Sequence, residues 1–236
     1  MPTGLIFYQL FDAESSTYTY LLADAATRQA VLIDPVLEKI ERDLQLINEL
    51  GVSLKFVLDT HVHADHITAS GQIRSRTGCL SAVGAGTEVR CADRLLNEAD
   101  VLEFGVHKLR VLSTPGHTAG CCSYVVGDLV FTGDALLIRG TGRTDFQEGS
   151  ASQLYHSVTH KLFALPDETL VYPGHDYKGQ THSTIGLEKK FNPRLGGGRT
   201  REQFVQTMSE LKLADPKRMH EAVPANKECG QTEKGI

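Results

Sequence analysis

The sequence predicts an α/β (α+β) fold: layers of sheet covered by helices. Two observations carry this prediction. Two strand-rich stretches are separated by segments of helical periodicity, and several short apolar runs end in polar loops that hold His or Asp beside glycine. A third bounds it. The chain has 236 residues, 41% hydrophobic and 22% charged, which is ordinary for a globular protein and excludes a disordered, collagen-like or coiled-coil chain. At this length about 70–75% of the unfolded surface can be buried, so a core forms without staples.

The first third alternates β-rich runs at 5–11, 17–23 and 30–34 with turn residues, as an antiparallel meander does. Leu37, Ile40, Leu44, Ile47 and Leu50 then fall at helical spacing, and Gly51 supplies a C-terminal cap. The run 54–59 is a buried strand ending in polar residues, followed by a helix from about 66 to 77 that Gly78 closes. Further strands are expected at 109–113, 122–126, 129–132 and 169–172, with a helix over 151–165 ended by Pro166. Thr200-Arg-Glu-Gln203, after three glycines, has the form of a capping box and opens a helix to about 213. Neither repeats nor a long linker are present, so we expect one domain over 1–236 with a C-terminal appendage from about 195.

Twenty-four Lys and Arg against 29 Asp and Glu leave a net charge of −5, which does not favour phosphate backbones or anionic membranes. Neither a nucleic-acid nor a membrane partner is expected. The five cysteines are Cys79, Cys91, Cys121, Cys122 and Cys229; they are sparse, odd in number and lack CxxC spacing, as in a reducing compartment. Cys121 and Cys122 open a strand and are expected to be buried small hydrophobes. The N-terminal MPTGLIFYQLF has no secretory pattern and no run approaches eighteen apolar residues, so the expectation is cytoplasmic, with an organelle matrix left open.

The chemistry concentrates in Thr60-His-Val-His-Ala-Asp-His66, where His61, His63, Asp65 and His66 directly follow an apolar strand. Such a cluster is costly to bury unless a divalent cation compensates it, and a cation takes neutral imidazole nitrogen and carboxylate oxygen as ligands. Three more loops each present a candidate after a strand and next to glycine: His117 in TPGHTAG, Asp134 in FTGD and His175 in YPGHD. Together these predict a metal site. His107, His156, His160, His182 and His220 have no ligand spacing and are expected to be surface or core residues.

With HxHxDH, a distant His, an Asp and a last His in this order, the chain resembles the metallo-β-lactamase superfamily. The strings THVHADHITAS, STPGHTAGCCSY, FTGDALLIRGTGRTDFQEGS, YPGHDYKGQTHSTIGLEKKFNPRL and PANKECG are similar to the persulfide dioxygenases over more than half of the chain. That resemblance implies an αββα sandwich of two mixed sheets, with one Fe(II) per chain held by His61, His117 and Asp134. It implies that His63, Asp65, His66 and His175 form an outer layer of hydrogen-bonding groups around iron and water. The substrates implied are glutathione persulfide and O2, converted with water to sulfite and glutathione, and relatives point to a homodimer.

Arg143, Tyr177 and Arg194 match family positions that contact the substrate, and a guanidinium suits the carboxylates of a tripeptide. A structural salt bridge is the alternative for Arg143. Thr141 replaces the Cys usual in animal relatives, and Ala69 and Gly174 replace other small residues; no ligand is lost. The same seven residues, His61, His63, Asp65, His66, His117, Asp134 and His175, would also suit two metals in a glutathione thioester hydrolase resembling glyoxalase II. Against that reading, the stretch after Arg194 is short for the helical substrate domain of that family. A non-catalytic metal or sulfur sensor would show a lost ligand.

Overall fold

A computed structural model describes residues 1–231. Among them, twelve strands form two six-stranded mixed sheets. The first runs β1 (Leu5–Asp12), β2 (Thr17–Asp24), β3 (Gln29–Ile33), β4 (Ser53–Leu58), β5 (Leu80–Gly84) and β6 (Arg94–Leu96) in that order, antiparallel to β3 and parallel from β3 onward. The second holds β7 (Val101–Phe104), β8 (His107–Ser113), β9 (Cys122–Val126), β10 (Leu129–Gly133), β11 (Leu170–Pro173) and β12 (Ser183–Thr184) in sequence order. There only β10 and β11 pair in parallel.

Side chains alternate across a strand, and that alternation builds the layers. Tyr18, Tyr20 and Leu22 of β2 and Val31 and Ile33 of β3 meet Phe104, Val111, Tyr124 and Phe131 of the other sheet in the central core. The alternate residues Leu21, Ala23, Ala30 and Leu32 face outward under Ile40 and Ile47 of α1 (Ile40–Glu49) and Ile73 of α2 (Ser70–Thr77). On the far side, α3 (Ala151–Ser157), α4 (Ile185–Phe191) and α5 (Arg201–Ser209) cover Leu112, Val125, Val130 and Val171 through Leu154, Ile185, Phe204 and Met208. This is the expected αββα arrangement. Of the later helices, α5 joins the outer core of the second sheet, while α6 (Met219–Lys227) sets Ala222 and Ala225 against Ile67 beside the HxHxDH loop.

Several elements differ from expectation. The helix expected from about 66 starts at Ser70, because the preceding backbone is used elsewhere: Ile67 O accepts from Leu37 N, and Thr68 N is bonded to Asn226. The helix over 151–165 becomes a π-helical turn at Val158–Leu162 after α3. The capping box at Thr200 and Gln203 forms as read, yet α5 ends at Ser209 rather than near 213. Strands β5, β6, β7 and β12 and helices α4 and α6 carry no element expected from the sequence. The cysteines hold a cross-link that their spacing does not announce, since Cys91 and Cys229 form a disulfide across 138 residues. Cys79, Cys121 and Cys122 are buried thiols. No helix among the described residues is long and apolar enough to cross a membrane.

Candidate metal centre

The loops after β4, β8, β10 and β11 converge at one edge of the sandwich. Ligand atoms of His61, His117 and Asp134 lie within 4.8 Å of one another, at a largely buried point between the sheets. His117 Nε2 stands 3.7 Å from Asp134 Oδ2, a spacing suited to two donors that each bind one ion at about 2.1 Å. Asp134 Oδ1 is buried without a hydrogen-bond partner. A buried carboxylate oxygen left unpaired is costly, and a cation bound to this group would remove that cost. The three residues therefore fit a divalent metal.

Hydrogen bonds fix which nitrogen each imidazole offers. The Thr60 hydroxyl donates to Asp34 Oδ2 (2.9 Å), so at its 2.9 Å contact with His61 Nδ1 it accepts. His61 thus carries its proton on Nδ1 and leaves Nε2 free. At His117 the partner of Nδ1 is the carbonyl of Arg143 (2.6 Å), which only accepts, so Nε2 is again the free donor atom. Burial, with His63 and His117 nearby, holds His61 well below the usual imidazole range and keeps it neutral. Gly142 permits the close packing here: a Cβ at that position would lie 2.6 Å from His117 Nδ1.

Around this trio stand the other four sequence candidates. His63 turns Nε2 to Asp34 Oδ1 (3.2 Å), with Asp59 Oδ1 at 3.9 Å; burial opposes its charge, but the two carboxylates raise it to about 9. His66 Nδ1 contacts Asp65 Oδ2 at 3.1 Å. His175 Nε2 lies 3.7 Å from both Asp65 Oδ1 and Asp134 Oδ1. Burial would raise the Asp65 carboxyl, yet His175 and His66 hold it well below the usual range. Thr17, which the sequence did not single out, touches Asp65, His66 and His175 within 3.4 Å through one hydroxyl. Asp34, Asp59 and Asn226 were missed as well. Thr17, Asp34 and Asn226 have no local motif, because each joins the site through tertiary packing, whereas Asp59 directly precedes the motif, four residues before His63.

The trio opens into a cavity of about 360 Å³. Arg143, Tyr177 and Arg194 all line it. Arg143 is already occupied: its guanidinium holds Asp145 bidentately (2.6 and 2.6 Å), donates to Ala214 O and lies 4.5 Å over the Phe146 ring. Arg194 is different. It donates to Thr141 O (2.6 Å) and Thr141 Oγ1 (3.2 Å), and among the described residues no carboxylate pairs with it. Burial pushes its pKa below the usual guanidinium range. Tyr177 is exposed and stacks on His175, 6.0 Å between centroids and 4° from parallel.

The loop bearing Arg139 to Thr141 is held from behind by buried Glu188, which accepts from Arg139 N (3.0 Å), Ser183 Oγ (2.6 Å) and Asn192 Nδ2 (2.9 Å) and pairs with the Arg139 guanidinium.

A sandwich of two mixed sheets with a His/Asp cluster at its edge defines a class, and a family model described as the metallo-beta-lactamase superfamily matches residues 13–175. The bovine (Bos taurus) persulfide dioxygenase ETHE1, described as mitochondrial, is 49% identical over 229 residues, covering 96% of this chain and 89% of that protein. The crystal structure of ETHE1 from Myxococcus xanthus is 58% identical and superposes with a TM-score of 0.93, over 96% of this chain and 100% of that one. A human hydroxyacylglutathione hydrolase-like protein is 37% identical over 183 residues, 75% of this chain and 60% of that protein. The chain belongs to the metallo-beta-lactamase superfamily and, within it, to the persulfide dioxygenase family.

Proposed function

We infer that this protein is a non-haem Fe(II) persulfide dioxygenase that converts glutathione persulfide, O2 and water to glutathione and sulfite. The observation that carries the reading is the trio itself. Two imidazoles with free Nε2 atoms and one carboxylate with an unpartnered oxygen face a cavity whose wall carries an arginine without a carboxylate. Ferrous iron held by His61, His117 and Asp134 would supply electron exchange with O2 and open positions for a sulfur anion. The protein's own part is placement. Arg194 takes a carboxylate of the tripeptide by charge-assisted hydrogen bonds, Tyr177 closes over it, and the persulfide end then points to the trio. Arg143, tied to Asp145, acts chiefly through its carbonyl, which orients His117. Asp65, His66 and His175, gathered on Thr17, hold the hydrogen-bonding layer around the ion. We propose that the functional unit is a homodimer in the cytoplasm or an organelle matrix.

One observation favours two metals and a thioester hydrolase: His63, Asp65 and His66 form a second donor group beside the first. His63 Nε2 is turned to Asp34 and its buried Nδ1 has no partner, so the ring still offers one nitrogen to an ion; the 49% identity to a persulfide dioxygenase over 96% of the chain is what supports the single-iron reading. The deciding experiment is metal analysis of protein purified without added metal, joined to an oxygen-electrode trace on adding glutathione persulfide. About one iron per chain and rapid O2 uptake is the expected result, with His117→Ala losing both. Two zinc per chain with hydrolysis of a lactoylglutathione-type thioester and no O2 uptake would overturn it.

A further inference from the structure

We propose that Asn226 of α6 is a positioning residue for the ligand loop 61–66, latched in place by the Cys91–Cys229 disulfide. The inference rests on the metal reading given above. The Asn226 side chain is buried and fully used: Nδ2 donates to His63 O (2.9 Å) and His66 O (2.8 Å), and Oδ1 accepts from Thr68 N (2.8 Å). The loop it grips lies outside any helix or strand, so these carbonyls have no ladder to join. A carboxamide supplies two donors and an acceptor on one short stem, and here each of them meets a different backbone group of the loop. One residue from the far end of the chain thereby fixes the run that carries His61, His63, Asp65 and His66.

The segment bearing Asn226 is tied down just beyond it. Cys229 O accepts from Gly71 N of α2 (3.0 Å), and a Cβ at Gly71 would lie 2.5 Å from that same oxygen, so the two backbones are in close register. Cys229 is three residues from Asn226 and is bonded to Cys91, just before β6 at the edge of the first sheet. Reduction opens the latch. A phosphine attacks one sulfur and the S–S bond breaks; water then delivers oxygen to phosphorus and protons to the sulfurs, giving phosphine oxide and two thiols. The end of α6 then depends on hydrogen bonds and packing alone, the loop loosens, and the metal leaves faster.

The test follows release of Co(II) into excess chelator from its visible absorption, using the full chain. Proteins compared are the oxidised wild type, the wild type reduced by phosphine and desalted, Asn226→Ala, Asn226→Asp and Phe204→Leu. Asn226→Asp keeps the shape and the acceptor for Thr68 N but turns both donors into acceptors facing carbonyls. Phe204→Leu trims the packing of α5 on the second sheet, away from the loop and the disulfide. Both Asn226 variants are expected to release Co(II) about 10- to 100-fold faster, the range usual for residues that orient metal ligands. The reduced wild type should fall between them and the oxidised protein, while Phe204→Leu keeps the wild-type rate even where its apoprotein melts earlier.

If Asn226→Ala does not fold, Asn226→Asp and the reduced protein carry the test. Release at the wild-type rate from a folded Asn226 variant that binds one equivalent overturns the positioning role. Equal rates from oxidised and reduced wild type overturn the latch. A wild type that binds no metal overturns the metal reading and this inference with it, whereas a wild type that binds and Asn226 variants that do not differ overturn this inference alone.

Discussion

Arg194 and Arg143 line the same cavity, yet only Arg194 has a charge without a carboxylate to meet it. Ionic hydrogen bonds of this kind contribute about 1.5–3 kcal/mol, or roughly 10- to 150-fold in affinity. Arg194→Ala is therefore expected to raise KM for glutathione persulfide by at least about tenfold while kcat changes little, because the residue acts on binding rather than on the reacting sulfur. A fall in kcat at unchanged KM would contradict that role. The cysteines give a second prediction at this scale. Burial pushes the Cys121 and Cys122 thiols up to about 12 and raises Cys79 as well, so no reactive thiolate exists at neutral pH. Titration with a disulfide reagent at pH 8 should find no fast thiol in the native protein, three in denaturant and five after reduction. Five in denaturant without reductant would show that Cys91 and Cys229 are not joined.

Among elements, those legible in the sequence are the ones whose pattern is local. The strands β1 to β4 and β8 to β11 are apolar runs bounded by turn residues, and α1 shows its period of 3.6 in Leu37, Ile40, Leu44, Ile47 and Leu50. The ligand loop is equally local, since seven residues hold four donors. What escaped reading is non-local. Strand β6 has three residues, β12 has two, and α6 contains Pro224, which argues against a helix when read alone. The roles of Thr17 and Asn226 depend on partners 48 to 163 residues away, for which no spacing rule exists.

Helix α1 also sets a pH dependence. Burial pushes the Asp43 carboxyl from the ordinary 3.8 up to about 6, against the pull of Arg42. A carboxyl whose pKa is raised by folding adds stability that is complete below about 4 and is lost as pH rises through about 6. The rise is worth about 3 kcal/mol. Asp43→Asn should accordingly raise Tm at pH 7.5 and leave it nearly unchanged at pH 4, as thermal melts across that range would show. A lower Tm for the variant at pH 7.5 would mean that the ion pair with Arg42 outweighs the burial cost.

At the scale of the whole molecule, the candidate centre lies on the seam of the sandwich. His61 comes from the end of β4 in the first sheet; His117 and Asp134 come from loops of the second. Elsewhere the two sheets meet through apolar side chains such as Tyr20, Phe104 and Phe131, and this contact does not depend on an ion. At the edge, however, three imidazoles and two carboxylates crowd together at His61, His117, His175, Asp65 and Asp134, and Asp134 Oδ1 has no partner. A metal joining His61 to His117 and Asp134 would compensate that crowding and tie one sheet to the other. Because the unfolded chain cannot assemble the trio, binding favours the native state, by about 4 kcal/mol when free metal exceeds Kd a thousandfold. For a chain of this size each kcal/mol moves Tm by about 2–4 °C, so chelation should lower Tm by about 8–16 °C. His117→Ala should melt near the chelated wild type and show no response to chelator. If chelation leaves the wild-type Tm unchanged although metal analysis shows the ion has left, the ion does not join the sheets at this seam, and the assignment of His61, His117 and Asp134 as its ligands falls.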